Sequence, residues 1–156
     1  MSNKFEFVSA SDKPALLAFS SPEWLEAART ALTELGYKVH TAATHGDFLI
    51  RFSQVNYQVV IVEELFAANN ISENLTLHAL QNMSMGLRRH ATVILLGDSF
   101  QTFTPMQAFQ QSVNSVINPS EIFLLKQLIE KSVADNDFFL HSFREAQANL
   151  YSENKT

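Results

Sequence analysis

Two short runs constrain this chain more than anything else in it: Val59-Val60-Ile61-Val62 and Thr92-Val93-Ile94-Leu95-Leu96. Side chains on a strand alternate between its two faces, so an almost unbroken apolar run leaves no face for water. Strands of this kind belong inside a parallel sheet covered by helices on both sides. A third apolar run, Ala15 to Phe19, follows Pro14. The alternating stretch Tyr37 to Ala42 and the stretch Ser112 to Ile117 complete five predicted strands.

Helix signals fall between them. Ser21-Pro22-Glu23 offers a capping hydroxyl, a proline for the first turn and an acid at the positive helix end. Leu25, Ala28, Leu32 and Leu35 follow at spacings of 3, 4 and 3, one buried stripe, and Gly36 supplies a left-handed end. Thr44 and Asp47 box the start of a second helix carrying Leu49, Phe52 and Val55. A third helix is predicted from about Glu73 to Met85, closed by Gly86. Thr104-Pro105-Met106-Gln107 reads as a capping box for a short fourth helix ending near Ser112, and Asn118-Pro119-Ser120-Glu121 opens a long fifth. Five β/α units joined by right-handed crossovers result.

Composition excludes several classes of function. The chain of 156 residues suits one domain with one good core. It has no cysteine, which excludes disulfides, thiolate metal sites and thiol catalysis and fits a reducing cytoplasm. Its net charge of −5 argues against nucleic-acid binding. The one concentrated basic spot, Arg88-Arg89-His90, reads as a solvated turn. No apolar run approaches the roughly 18–20 residues that span a bilayer, and the N-terminus lacks a signal-peptide core. Thirteen phenylalanines point to a large aromatic core or an adhesive surface.

Signals for chemistry are sparse. His40, His45, His78, His90 and His141 show no metal-ligand spacing, and four glycines make no phosphate-binding loop. No metal or cofactor is expected. Asn70-Ile71-Ser72 and Asn74-Leu75-Thr76 match glycosylation acceptors, without consequence where no secretory signal precedes them. The third strand ends in Glu63-Glu64, at the strand end where open α/β sheets hold ligands. Asp98 follows the fourth strand and reads as a turn cap. General acid–base work by Glu63 and Asp98 would lack a nucleophile and an oxyanion hole, so an enzyme is the weakest reading.

The stretches Leu32-Thr33-Glu34-Leu35-Gly36-Tyr37-Lys38-Val39-His40-Thr41-Ala42, Tyr57 to Leu65, Ala91 to Gly97 and Val113 to Glu121 together resemble the receiver domain of two-component response regulators. The resemblance covers about Pro14 to Val133. It implies a flavodoxin-like, doubly wound α/β fold: a five-stranded parallel sheet of order 2-1-3-4-5. Receivers accept a phosphoryl group on an aspartate ending the third strand; here Glu63 stands there. The two acids that hold magnesium fall on Phe19 and Ser20. The hydroxyl residue ending the fourth strand falls on Gly97, the lysine ending the fifth on Asn118, and the aromatic that moves with the hydroxyl on Ser115. Every functional position departs from the pattern. Magnesium wants near-octahedral oxygen ligands, and phosphoryl transfer needs its developing charge offset, so the resemblance is to a degenerate, or pseudo-, receiver.

Three readings of Glu63-Glu64 stay open: one carboxylate paired locally with the other in solvent, Glu63 as a fixed negative charge that locks one conformation, or a site of another kind. A hydrogen bond from the Asn118 amide to Glu63 is expected. The function expected is a phosphorylation-independent signalling module that binds protein partners of a bacterial pathway. Its partner face is made by the fourth helix, fifth strand and fifth helix, with Gln107, Gln110, Gln111 and Lys126. The alternative is a small-ligand sensor using a crevice lined by Phe19, Ser20, Gly97 and Phe66.

Three segments are expected. Residues 1–13 form an N-terminal extension in which Phe5 and Phe7 suit an extra edge strand. Residues 14–133 form the receiver-like domain, and residues 134–156 a C-terminal helical extension. A heptad seam runs through Ile122, Leu125, Ile129, Ser132, Asn136, Phe139, Phe143, Ala146 and Leu150. Ser132 and Asn136 interrupt it. Either the helix breaks at Asp135-Asn136-Asp137 and folds back, or Phe139, Phe143 and Leu150 pair with a second chain as a homodimer.

Overall fold

In the computed structural model, which describes residues 8–153, β3 (Val59–Glu63) lies at the centre of a five-stranded sheet. It pairs in parallel with β1 (Pro14–Ala18) on one side and β4 (Thr92–Leu96) on the other. β2 (Lys38–Ala42) and β5 (Ser115–Ile117) form the edges, giving the order β2-β1-β3-β4-β5. This is the flavodoxin-like arrangement expected from the sequence.

Alternation along the strands builds two cores. Leu16, Val60, Val62, Val93, Leu95 and Val116 pack against α2 (His45–Gln54), α3 (Leu75–Asn82) and α5 (Pro105–Gln111). Leu17, Val59, Ile61, Ile94, Leu96 and Ile117 face α1 (Pro22–Glu34) and α6 (Leu125–Glu153). With every β3 side chain buried, the strand has no solvent face, as its composition requires. Two predicted helix starts hold. Ser21 Oγ accepts from the Trp24 amide at 3.3 Å, and Thr44 Oγ1 from the Asp47 amide at 3.0 Å. Gly36 takes φ +87°, the left-handed end its position demands.

The third helical segment differs from expectation. A short 3₁₀ turn, Ile71–Glu73, precedes α3, and Met83 is extended, so α3 stops at Asn82. Gly86 closes nothing; it lies inside a separate short helix, α4 (Met85–Arg88). Nor is Arg88-Arg89-His90 a solvated turn. Arg88 is buried and donates to the Leu80 carbonyl at 2.8 Å, capping the end of α3. Half-buried His90 stacks on Phe52, 5.6 Å between centroids. Only Arg89 is exposed, its guanidinium 4.7 Å from the Phe143 ring centre. The box at Thr104 also closes elsewhere. Thr104 Oγ1 donates to the Gln101 carbonyl and Gln107 Oε1 accepts from the Gln101 amide, each at 2.8 Å.

After a 3₁₀ stretch, Pro119–Leu124, helix α6 runs unbroken for 29 residues, about 43 Å at 1.5 Å per residue. The expected break at Asp135-Asn136-Asp137 is absent, and among the described residues the helix does not fold back. The polar residues that interrupt the seam are the reason. Ser132 Oγ bonds Ser115 Oγ at 2.8 Å, and Asn136 donates to Thr92 Oγ1 at 3.0 Å and accepts from Asn114 at 3.2 Å. These pairs satisfy buried polar groups and hold α6 against the starts of β4 and β5, so its packing continues to buried Leu140. Beyond it every residue from 141 to 152 is exposed. The expected strand carrying Phe5 and Phe7 lies outside the described residues. Among the described residues no helix is long and apolar enough to cross a membrane.

His90 makes the fold pH-sensitive. Burial lowers its pKa below the ordinary value, and its Nε2 has no hydrogen-bond partner. The folded state therefore disfavours the imidazolium. Stability from the neutral ring is complete above the unfolded value of about 6.5 and declines as pH falls toward the lower folded value. Urea midpoints measured against pH should fall more steeply below pH about 6.5 in the wild type than in His90→Phe, which keeps the stacking and cannot protonate.

Candidate functional site

The C-terminal ends of β1, β3 and β4 converge on a cleft of about 510 Å³. Trp24, Leu65 and Ile71 supply apolar wall, Ser21 and Asn70 polar wall, and Glu63, Glu64, Gly97 and Asp98 line it from the strand ends.

Both glutamates are buried, 5% and 8% exposed, so the reading that leaves one in solvent fails. Glu63 Oε1 accepts from the Ser20 and Ser21 amides at 3.2 and 2.9 Å. Glu64 Oε1 accepts from the Ser99 amide at 3.2 Å, while the Glu64 amide donates to Leu96 at 2.7 Å. Backbone donors therefore hold one oxygen of each carboxylate. The Glu64 side chain crosses Gly97 so closely that a Cβ on residue 97 would lie 2.5 Å from Glu64 Cβ and closer still to Oε1. Glycine at 97 is what admits the glutamate. The room a side chain at 97 would need is occupied by Glu64.

The loop after β3 is fixed from two sides. Ser20 Oγ donates to the Leu65 carbonyl at 3.2 Å and accepts from the Ala67 amide at 2.8 Å. Asn74, fully buried, donates to the carbonyls of Glu63 and Glu64 at 3.0 and 3.1 Å and caps α3 through the Leu77 amide at 3.1 Å. Its place inside the protein withdraws it as a glycosylation acceptor. An asparagine just ahead of an apolar helical run is itself a cap signal, and that signal points to Asn74.

Three expectations are corrected. Asn118 does not reach Glu63. Its amide donates to Phe100 and Asp98 carbonyls at 2.8 and 3.4 Å and its oxygen accepts from Ser120 at 2.8 Å, so it pins the β4–α5 loop and starts the 3₁₀ stretch. Phe19 and Phe66 do not line the crevice. Each is buried in a core cluster, on opposite faces of the sheet, with Phe66 edge-on to His45. Ser115 sits at the start of β5, away from the cleft, bonded to Ser132. On the expected partner face Gln110 and Lys126 are exposed, whereas Gln107 serves Gln101 and Gln111 accepts from Gln81 at 3.0 and 3.3 Å.

These residues do not fit a magnesium ion. Phe19 faces the core, the Ser20 hydroxyl serves the loop, and Glu63 accepts from two amides. Among the described residues no group of three or more acids or histidines gathers as a metal site.

No family model and no curated protein sequence matches the chain. Solved structures do. A CheY-like receiver domain from Methanospirillum hungatei superposes with a TM-score of 0.62 at 16% identity, over 81% of this chain and 98% of that one. An orphan response regulator of H. pylori gives 0.60 at 17%, over 81% and 99%. A Burkholderia pseudomallei response regulator solved with a phosphorylated aspartic acid, calcium and citrate gives 0.55 at 15%, over 93% and 88%. The fold is that of response-regulator receiver domains.

Two substitutions test the packing. Gly97→Ala should destabilise the protein by about 1–3 kcal/mol, because Glu64 Cβ cannot swing aside, and Glu64→Ala in the same chain should restore part of that loss. Asn74→Ala should lose about 2–4 kcal/mol, a cap together with two buried carbonyls left unpaired. Denaturant unfolding measures both.

Proposed function

We propose that the chain is a phosphorylation-independent, receiver-like signalling module that binds protein partners of a bacterial signalling pathway in the cytoplasm and is not an enzyme. The observation that carries this reading is Glu64 lying across Gly97 with its carboxylate on the Ser99 amide. In a receiver this corner of the crevice takes up the phosphoryl group and answers to it. Here a carboxylate belonging to the chain fills it. On this reading the fixed negative charge sits on Glu64 as well as on Glu63, and no lysine lines the cleft with them. Without a counter-charge, phosphoryl transfer has nothing to stabilise it.

A module that no longer switches still presents its surface. Met106 and Phe109 on α5 are 64% and 80% exposed beside Gln110, and large apolar groups in water mark a docking face. Self-association as a homodimer belongs to the same reading. The open cleft of about 510 Å³ beside Trp24 and Ile71 supports a second one, a small-ligand sensor. Ligand-induced amide shifts confined to residues 20–24, 63–71 and 97–99 would favour it.

Incubation with acetyl phosphate or phosphoramidate, with and without magnesium, should leave the intact mass unchanged. A phosphoryl adduct on Glu63 or Glu64 would overturn the proposal.

A further inference from the structure

We infer that the C-terminal part of α6 is a dimerisation arm that pairs antiparallel with α6 of a second copy and lays its end across the groove at the root of that copy's own arm. The inference rests on the reading of the chain as a module that associates with protein, and it commits that reading to one partner and one geometry.

Part of the exposed apolar surface is continuous. Met85 of α4, Phe109 of α5, Val113 and Phe139 of α6 line a groove of about 760 Å³. Phe143 continues it beside Arg89 and buried Leu140. From there the surface follows α6 away from the domain through Ala146 to Leu150. Phe139, Phe143 and Leu150 are 62%, 36% and 61% exposed. Residues 139, 143, 146 and 150 stand at spacings of 4, 3 and 4, the interval by which one helix meets another. The helix is also held straight where such a seam needs it, since Ser132 and Asn136 anchor it to the sheet just before the seam leaves the domain.

Size and charge choose the partner and its direction. Both phenylalanines lie at the domain end of the seam, and alanine and leucine at the free end. Parallel pairing would set phenylalanine against phenylalanine and leave a void between two Ala146 residues. Antiparallel pairing sets Phe143 against Ala146 and Phe139 against Leu150, so no level stacks two phenylalanines or faces two alanines. The positions flanking the seam, Leu140, Ser142, Gln147 and Asn149, carry no charge. Two copies, each with a net charge of −5, can therefore approach along it without local like-charge repulsion. The same register brings the carboxyl end of the arm, at residue 153, level with Asn136 of the other copy. The negative pole of the helix then meets exposed Arg89, which lines the small cavity with Asn136. The contact is isologous and closed: each copy's arm covers the other's groove.

The absence of cysteine in the chain makes introduced thiols a clean reporter. Sedimentation equilibrium of the full chain should show a reversible dimer. Phe139→Cys/Leu150→Cys in one chain should form an intermolecular disulfide on mild oxidation. Leu150→Cys alone should not, because antiparallel pairing holds the two 150 positions roughly 16 Å apart, beyond disulfide reach. Leu150→Glu should weaken the dimer at least about tenfold, as truncating an interface anchor does, with an unchanged circular dichroism spectrum because the residue faces solvent in the monomer. A full chain that stays monomeric at every concentration overturns the inference. So does a dimer that Leu150→Cys alone links, or one that the double variant fails to link. The phosphodonor experiment is independent: an adduct on a dimeric chain defeats only the phosphorylation-independent reading, and an unmodified monomer defeats this inference and the homodimer while leaving the phosphorylation-independent module in place.

Discussion

Everything in this molecule is arranged around a strand that has no polar side to offer. The β3 run is apolar on both faces, and burying both requires neighbours in the plane and helices above and below. Leu17, Ile61 and Ile94 bind the sheet to α1 and α6, and Leu16, Val60 and Val93 bind it to α2, α3 and α5. The same demand sets the chemistry at the strand's end. Once the apolar run stops, its backbone is still buried, and the carbonyls of Glu63 and Glu64 need donors. Asn74 supplies both from one amide while capping α3 with its oxygen. One side chain thus fixes where the strand ends, where the next helix begins, and how the two glutamates are aimed.

The crevice that results is organised by backbone amides rather than by cations. Carboxylates held by oriented N–H groups tolerate burial, since a charge-assisted hydrogen bond offsets much of the lost hydration. Ser20 has been drawn into the loop, Asn118 into the neighbouring loop, and Phe19 into the core. Ser20 and Asn118 serve as ties between loops. The residues around the cleft are engaged with one another and with the backbone.

The strands were legible because period and β-branching are local properties. Thr92 to Leu96 was read to the residue, and the caps at Ser21, Thr44 and Gly36 follow from chemistry within a few positions of the sequence. What escaped depended on contacts between distant segments. Arg88 looked solvated because nothing local says that the end of α3 passes beside it. Analogy with a lysine places Asn118 on Glu63, but its shorter side chain meets the Phe100 carbonyl. Ser132 and Asn136 looked like the end of a packed helix, because polar residues in an apolar stripe signal exposure unless their partners are known. Those partners, Ser115 and Thr92, lie 17 and 44 positions away. The order of the strands is therefore readable, whereas the extent of the third helix, the straight run of α6 and the polar ties are not.

The Glu64–Gly97 contact also bears on how such a sequence can drift. Two residues share one volume, so the substitutions open to each depend on the other. A hydroxyl residue cannot enter at 97 while the glutamate lies across it, and shortening the glutamate first leaves the Ser99 amide without its acceptor and a hollow at the strand ends. Either single step lands on a less stable protein before the pair is complete. A sequence in this state is held there by a barrier in mutational space, and a route to a side chain just past the end of β4 opens only if both positions change together or if stability gained elsewhere carries the chain across.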